Sequence, residues 1–202
     1  MNEEKAINRL WKSGLISILS ALFFSFYNGY LGIFKHYAFG LSIGIYYFLL
    51  SSIRFILYII NKNKTNKKRY FLINVLLLAL NISLIAPIIM MIDQKRNYNF
   101  GLIHALTIAT YATYKIISAI ILFYKTKERT YQSQLMRNSV NLIDALVSIL
   151  TLQDTLIIVN GAIDDNNMHI LMICSSIAIY IIILAISFYT YLKVRKQKRE
   201  DK

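Results

Sequence analysis

Long apolar runs alternate with short basic tracts along the whole chain. Six such runs stand near 13–33, 37–60, 70–92, 101–124, 140–162 and 170–191. Each meets or exceeds the roughly 18 to 20 apolar residues that a helix needs to cross a bilayer. The pattern predicts an all-α polytopic membrane protein, a bundle of six transmembrane helices forming a single domain over 1–202. The polar segments between the runs are too short to build a soluble core of their own.

Within the runs, polar positions recur at helical spacing. Asn141, Asp144, Ser148, Thr151 and Thr155 follow one another at gaps of three, four, three and four in the fifth run. His104, Thr107, Tyr111, Tyr114 and Ser118 repeat that rhythm in the fourth, with Lys115 at its border. The second run adds His36, Gly40, Tyr47, Ser51, Arg54 and Tyr58; the first adds Ser13, Ser17, Ser20 and Asn28; the sixth adds Ser176, Tyr180, Ser187 and Tyr191. The third is sparser, with Asn74 and Asn81 seven apart and Pro87 near its far end. At about 100° per residue each set occupies a narrow arc. Lipid-facing positions favour apolar side chains, so these arcs are expected to face other helices or water.

The rise of about 1.5 Å per residue sets relative depths. Arg54, Lys115 and Asp144 fall at similar levels and predict one charge cluster. His104 and Asp154 predict a second towards the other face, with Thr107 and Tyr111 in reach. Tyr47, Tyr111 and Tyr114 are expected inside, as hydrogen-bonding walls of a polar cavity lined by the second, fourth and fifth spans. Thr151 completes that lining. Asp154, nearest mid-span, is the single residue most expected to carry function, as a proton or cation carrier.

A structural reading competes throughout. Ser and Thr in membrane helices often bond their own backbone, and polar side chains join helices without any ligand. Lys115 and Asp144 fit a purely structural ion pair equally well. Arg54, near the end of its span, fits snorkelling to the interface. A shift of 64 residues places Tyr47 on Tyr111, Ser51 on Lys115 and Arg54 on Ser118, a faint hint that spans two–three and four–five are related hairpins. One weak small-xxx-small pair, Ser17 and Ala21, marks the first span.

Composition sharpens the class more than the function. The 202 residues are 56% hydrophobic and 16% charged, with a mean hydropathy of +0.48, too apolar for an ordinary soluble domain. The formal charge is +13. Eighteen Lys and Arg fall at the termini and alternate loops, against Lys35, Lys95 and Arg96 in the others. The positive-inside rule then places both termini in the cytoplasm, N-in and C-in. It also explains the net charge without nucleic acid, and the basic tail KVRKQKREDK suits anionic lipid. The first run is read as an uncleaved span, since no small-residue cleavage site follows Tyr30. Trp11, Tyr70, Tyr98, Tyr124, Tyr189 and Tyr191 stand near span ends as interfacial anchors. His36 and His169 are placed at the outer interface.

Chemistry of the covalent kind finds no foothold. The chain has no glycine-rich phosphate loop, no HExxH, no GxSxG and no Cys/His pair at protease spacing. The lone Cys174 admits no internal disulfide and reads as a packing residue. Asp144 and Asp154 stand about 15 Å apart along one helix, too far for an aspartyl dyad. No enzyme, cofactor or metal site is expected. Two classes remain: a transporter, channel or ligand-binding membrane subunit for a small molecule or ion, or a non-transporting accessory protein for sensing, immunity or assembly. The partners expected are the lipid bilayer and either another membrane protein or further copies of the chain. Richness in Ile, Asn, Lys and Tyr fits an AT-rich genome, and the expected location is a bacterial cytoplasmic membrane.

Overall fold

The computed structural model describes residues 2–62, 67–92, 102–125, 132–160 and 166–200, with side chains described at 14–60, 72–92, 102–122, 135–160 and 166–196. Seven helices follow in order: α1 (Asn2–Phe34), α2 (Ala38–Lys62), α3 (Lys67–Ser83), α4 (Ile85–Ile92), α5 (Leu102–Lys125), α6 (Gln132–Val159) and α7 (Asn166–Glu200). Among the described residues there is no strand. Six membrane-spanning segments result, because α3 and α4 together make the third. This is an all-helical integral membrane protein with the six predicted spans.

The third span breaks where its sequence requires. Pro87 has no N–H to give the carbonyl of Ser83, and its ring crowds that carbonyl. The helix therefore stops at Ser83 and restarts after Leu84, whose N–H turns back to the Asn81 carbonyl at 3.3 Å. The other sharp feature is the link between α1 and α2. His36 adopts the left-handed conformation (φ 52°), so the chain reverses within three residues. That reversal turns Tyr37 inward, where it is almost fully buried.

Helices α2 and α6 form the middle of the bundle and pack against each other. The buried share is 56% in their spans against 22% in those of α5 and α7. Helix α1 lies along α2, α5 along α6, and α7 against both α3 and α6. The faint internal symmetry gains no support from this packing. It would make the second and fourth spans equivalent, yet the second is central and the fourth peripheral.

The α1–α2 contact depends on small residues that Ser17 and Ala21 do not represent. A Cβ on Gly32 would fall 2.6 Å from the Leu41 backbone, and one on Gly44 would fall 2.9 Å from the Gly29 nitrogen. Ser25 Oγ donates across the same contact to the Gly44 carbonyl at 2.7 Å. Gly40-xxx-Gly44 on α2, facing Ser25-xxx-Gly29 on α1, is the close-approach motif that the sequence carried unread.

The candidate functional site

The polar rhythm of the fifth run does turn inward. Asp144, Ser148, Thr151 and Thr155 are all buried on α6. Three of them, however, spend their hydroxyls on their own helix: Ser148 donates to the Ala145 carbonyl, Thr151 to Val147 and Thr155 to Thr151. For these residues the structural reading of the stripe holds. Thr151 faces the interior without presenting its proton there.

The charged residues behave differently. Arg54 from α2, Lys115 from α5 and Asp144 from α6 converge at one point. Arg54 Nη2 lies 2.5 Å and Lys115 Nζ 2.8 Å from the same oxygen, Asp144 Oδ2. All three side chains are buried. Arg54 also donates to Asn141 Oδ1 at 2.9 Å, and through Nη1 to the Ser17 hydroxyl and carbonyl on α1. Lys115 donates to Ser20 Oγ at 3.1 Å and stands 5.0 Å from the centre of the Tyr111 ring. Three helices thus meet at one carboxylate, and α1 joins them through the two cations. Arg54 does not snorkel: its stem and head are both turned into the bundle, because the acceptors lie there.

A layer of rings follows along the helix axis. Phe24 stacks on Tyr111 with centroids 3.8 Å apart and planes 1° from parallel, while Tyr47 meets both edge-on, at 4.8 and 5.8 Å. Tyr46 abuts Tyr47 at 5.8 Å. Helices α1 and α5 are joined here by long side chains. The hydroxyls of Tyr46, Tyr47 and Tyr111 are buried within electrostatic range of Asp144 and Arg54, yet none has a hydrogen-bond partner among the described residues. The same is true of Arg54 Nε and Asp144 Oδ1.

Beyond the rings lies a second polar level. His104 Nδ1 and the Tyr27 hydroxyl are 2.8 Å apart, and Tyr37 donates a short hydrogen bond to Asp154 Oδ2. His104 and Asp154, expected as partners of one another, are both buried at this level, each held by a tyrosine from the α1–α2 side of the bundle. Neither tyrosine was singled out from sequence. Tyr27 stands seven residues after Ser20, about 20° from it around α1 and at the edge of that polar arc, and Tyr37 reaches inward only through the left-handed turn at His36.

One expected wall residue is misplaced. Tyr114 is 43% exposed and faces outward, although its ring centre lies 5.8 Å from Lys115 Nζ. It follows Thr113 on the outer face of α5, one position before Lys115, and a single helical step of about 100° carries it off the buried arc. Further polar contacts serve as joints: Gln153 with Ser175, and Ser139 with Thr190, both between α6 and α7. His169 Nε2 meets the Ile92 carbonyl at 3.0 Å and ties α7 to α4. Cys174 is exposed on α7. Trp11, Tyr70, Tyr98 and Tyr124 lie outside the described side chains, as do Lys95 and Arg96. Among the described residues no three His, Cys, Asp or Glu side chains gather as metal ligands.

The arrangement is therefore two buried polar levels separated by an aromatic layer, with charge concentrated in one of them. Comparison with family models, with curated proteins and with solved structures finds no match to this chain.

Proposed function

We propose that this protein is a small-solute transporter, channel or ligand-binding membrane subunit whose polar pathway follows α2, α5 and α6, with α1 closing one side. The observation that carries the reading is the convergence of Arg54, Lys115 and Asp144 from three spans on one shielded point. Placing a charge in a bilayer interior costs about 2.5–3.5 kcal/mol on insertion scales, and packing alone needs no charge there. The layered rings of Phe24, Tyr47 and Tyr111 fit a closed gate between that point and the Asp154 level. Solute would meet Arg54 and Lys115 as cations, the Tyr47 and Tyr111 hydroxyls as walls, and Asp154 and His104 beyond the gate. In this reading the protein acts without covalent chemistry, in the cytoplasmic membrane of a bacterium, with both termini and the Arg54 level towards the cytoplasm.

Reconstitution tests it. Liposomes containing the purified chain are assayed for labelled sodium, chloride and phosphate and for dye-reported protons. At least one species should cross faster than in empty vesicles. Asp154→Asn should reduce that flux tenfold or more while the melting temperature moves by only a few degrees.

A second reading, a non-transporting accessory protein, is favoured by one set of observations. Ser148, Thr151 and Thr155 satisfy themselves within α6, and Ser139–Thr190 and Gln153–Ser175 act as helix joints. Folded protein that passes none of the four species would select it.

A further inference from the structure

Two positive charges meet one carboxylate at the Arg54 level, and both reach the same oxygen. Of the carboxylates with described side chains, only Asp154 remains, ten residues along α6 and about 15 Å up its axis. The ring layer of Phe24, Tyr47 and Tyr111 intervenes. Among the described residues the site therefore carries one positive charge in excess, in a region where an unmatched ion is expensive.

The unpartnered polar groups around it point the same way. Tyr46, Tyr47 and Tyr111 hydroxyls and the Arg54 Nε–H are buried donors without acceptors among the described residues, against one unpartnered acceptor, Asp144 Oδ1. A cation arriving here would face two like charges. A neutral solute would leave the excess charge unmatched. One negative charge bearing several lone pairs answers both deficits together.

We infer that this site, between α1, α2, α5 and α6, binds a small monovalent anion. Arg54 and Lys115 supply the charge, and Tyr46, Tyr47 and Tyr111 supply hydrogen bonds. Asp144 holds the two cations in place and limits the excess to one, which matches an anion of single charge. The inference rests on the solute-handling reading and gives that solute its chemical class.

Thermal unfolding of the purified full chain in detergent tests it, at fixed ionic strength, with gluconate replaced by chloride, nitrate, bicarbonate or dihydrogen phosphate. A ligand that binds only the folded state raises the melting temperature in a concentration-dependent way. The wild-type protein should show such a rise, saturating, with at least one of the four. Lys115→Met leaves a balanced Arg54–Asp144 pair and should abolish the rise. Should that variant not fold, Tyr47→Phe with Tyr111→Phe keeps every charge and should weaken the apparent affinity severalfold. No saturable rise with any of the four anions, or an equal rise in wild type and variant, overturns the inference. Flux separates it from the transport reading. Sodium or proton flux without an anion effect defeats the anion site alone, whereas a saturable anion effect without flux defeats transport and keeps the site.

Discussion

The two sides of the central α2–α6 pair treat buried polarity in opposite ways. The α1 and α5 side holds the buried charge cluster beside its neutral groups, and each charge has partners from other helices: Asp144 takes both cations, Arg54 reaches Ser17 and Asn141, and Lys115 reaches Ser20. On the α3, α4 and α7 side the polar groups are neutral. Asn74 and Asn81 are completely buried, as is Ser187, and neither amide nor that hydroxyl has a hydrogen-bond partner among the described residues. The difference follows from cost. An unmatched buried amide or hydroxyl forfeits about 1–3 kcal/mol, which a bundle can absorb. An unmatched buried ion costs several kcal/mol, so buried charge is gathered where polar partners from neighbouring helices meet it. In the function proposed above, charge retained at such expense makes the α1–α2–α5–α6 side the working half.

The largest effect that would sharpen this contrast is at Asp144. Asp144→Asn leaves two cations facing each other and should cost about 3–5 kcal/mol, read from unfolding in detergent. Adding Lys115→Met should recover part of that loss, since one of the two unmatched charges is gone. A double variant as unstable as the sum of the singles would show that the three side chains are not coupled.

Gly32→Ala comes next. Its new methyl meets the Leu41 backbone, which cannot rotate away as a side chain can, so α1 and α2 must separate. The expected loss is about 1–3 kcal/mol. Because Ser17 and Ser20 reach the charged level from α1, the same variant should weaken any anion effect. An unchanged melting temperature would mean that the α1–α2 approach is looser than described.

Tyr27→Phe removes the hydroxyl that meets His104 and should cost about 0.5–1.5 kcal/mol. The smallest change, and the one of opposite sign, is expected on the neutral side. Asn74→Leu and Asn81→Leu replace unpartnered amides by an apolar side chain of similar size, and each should be neutral or stabilising by up to about 1 kcal/mol. A loss at Asn74 or Asn81 approaching that at Asp144 would erase the contrast between the two sides.

Much of this architecture was legible before any coordinates. Six apolar runs gave six spans; Pro87 stood in the third, but the break between Ser83 and Ile85 came only with the structure. The gaps between Asp144, Ser148, Thr151 and Thr155 gave the buried face of α6, because helical periodicity is a local property. The level of the Arg54–Lys115–Asp144 cluster was also readable, since rise per residue fixes depth. The roles of Tyr27 and Tyr37 were not. Tyr37 depends on a left-handed turn at His36 that no pattern rule flags for histidine, and Tyr27 depends on which helix stands opposite α5.

What the sequence determined by itself is the class of object: helical, membrane-embedded, with polar arcs on most of its spans. Length, hydropathy and a period of 3.6 suffice for that, since each concerns one helix at a time. Only the tertiary structure decided that α2 and α6 are central, that Tyr114 turns outward, and that two cations share a single carboxylate oxygen. Those facts depend on which helices are neighbours and how each is rotated about its axis. In a membrane that choice is made by close packing of small residues and by matching of buried charge, both of which act between segments distant in the chain.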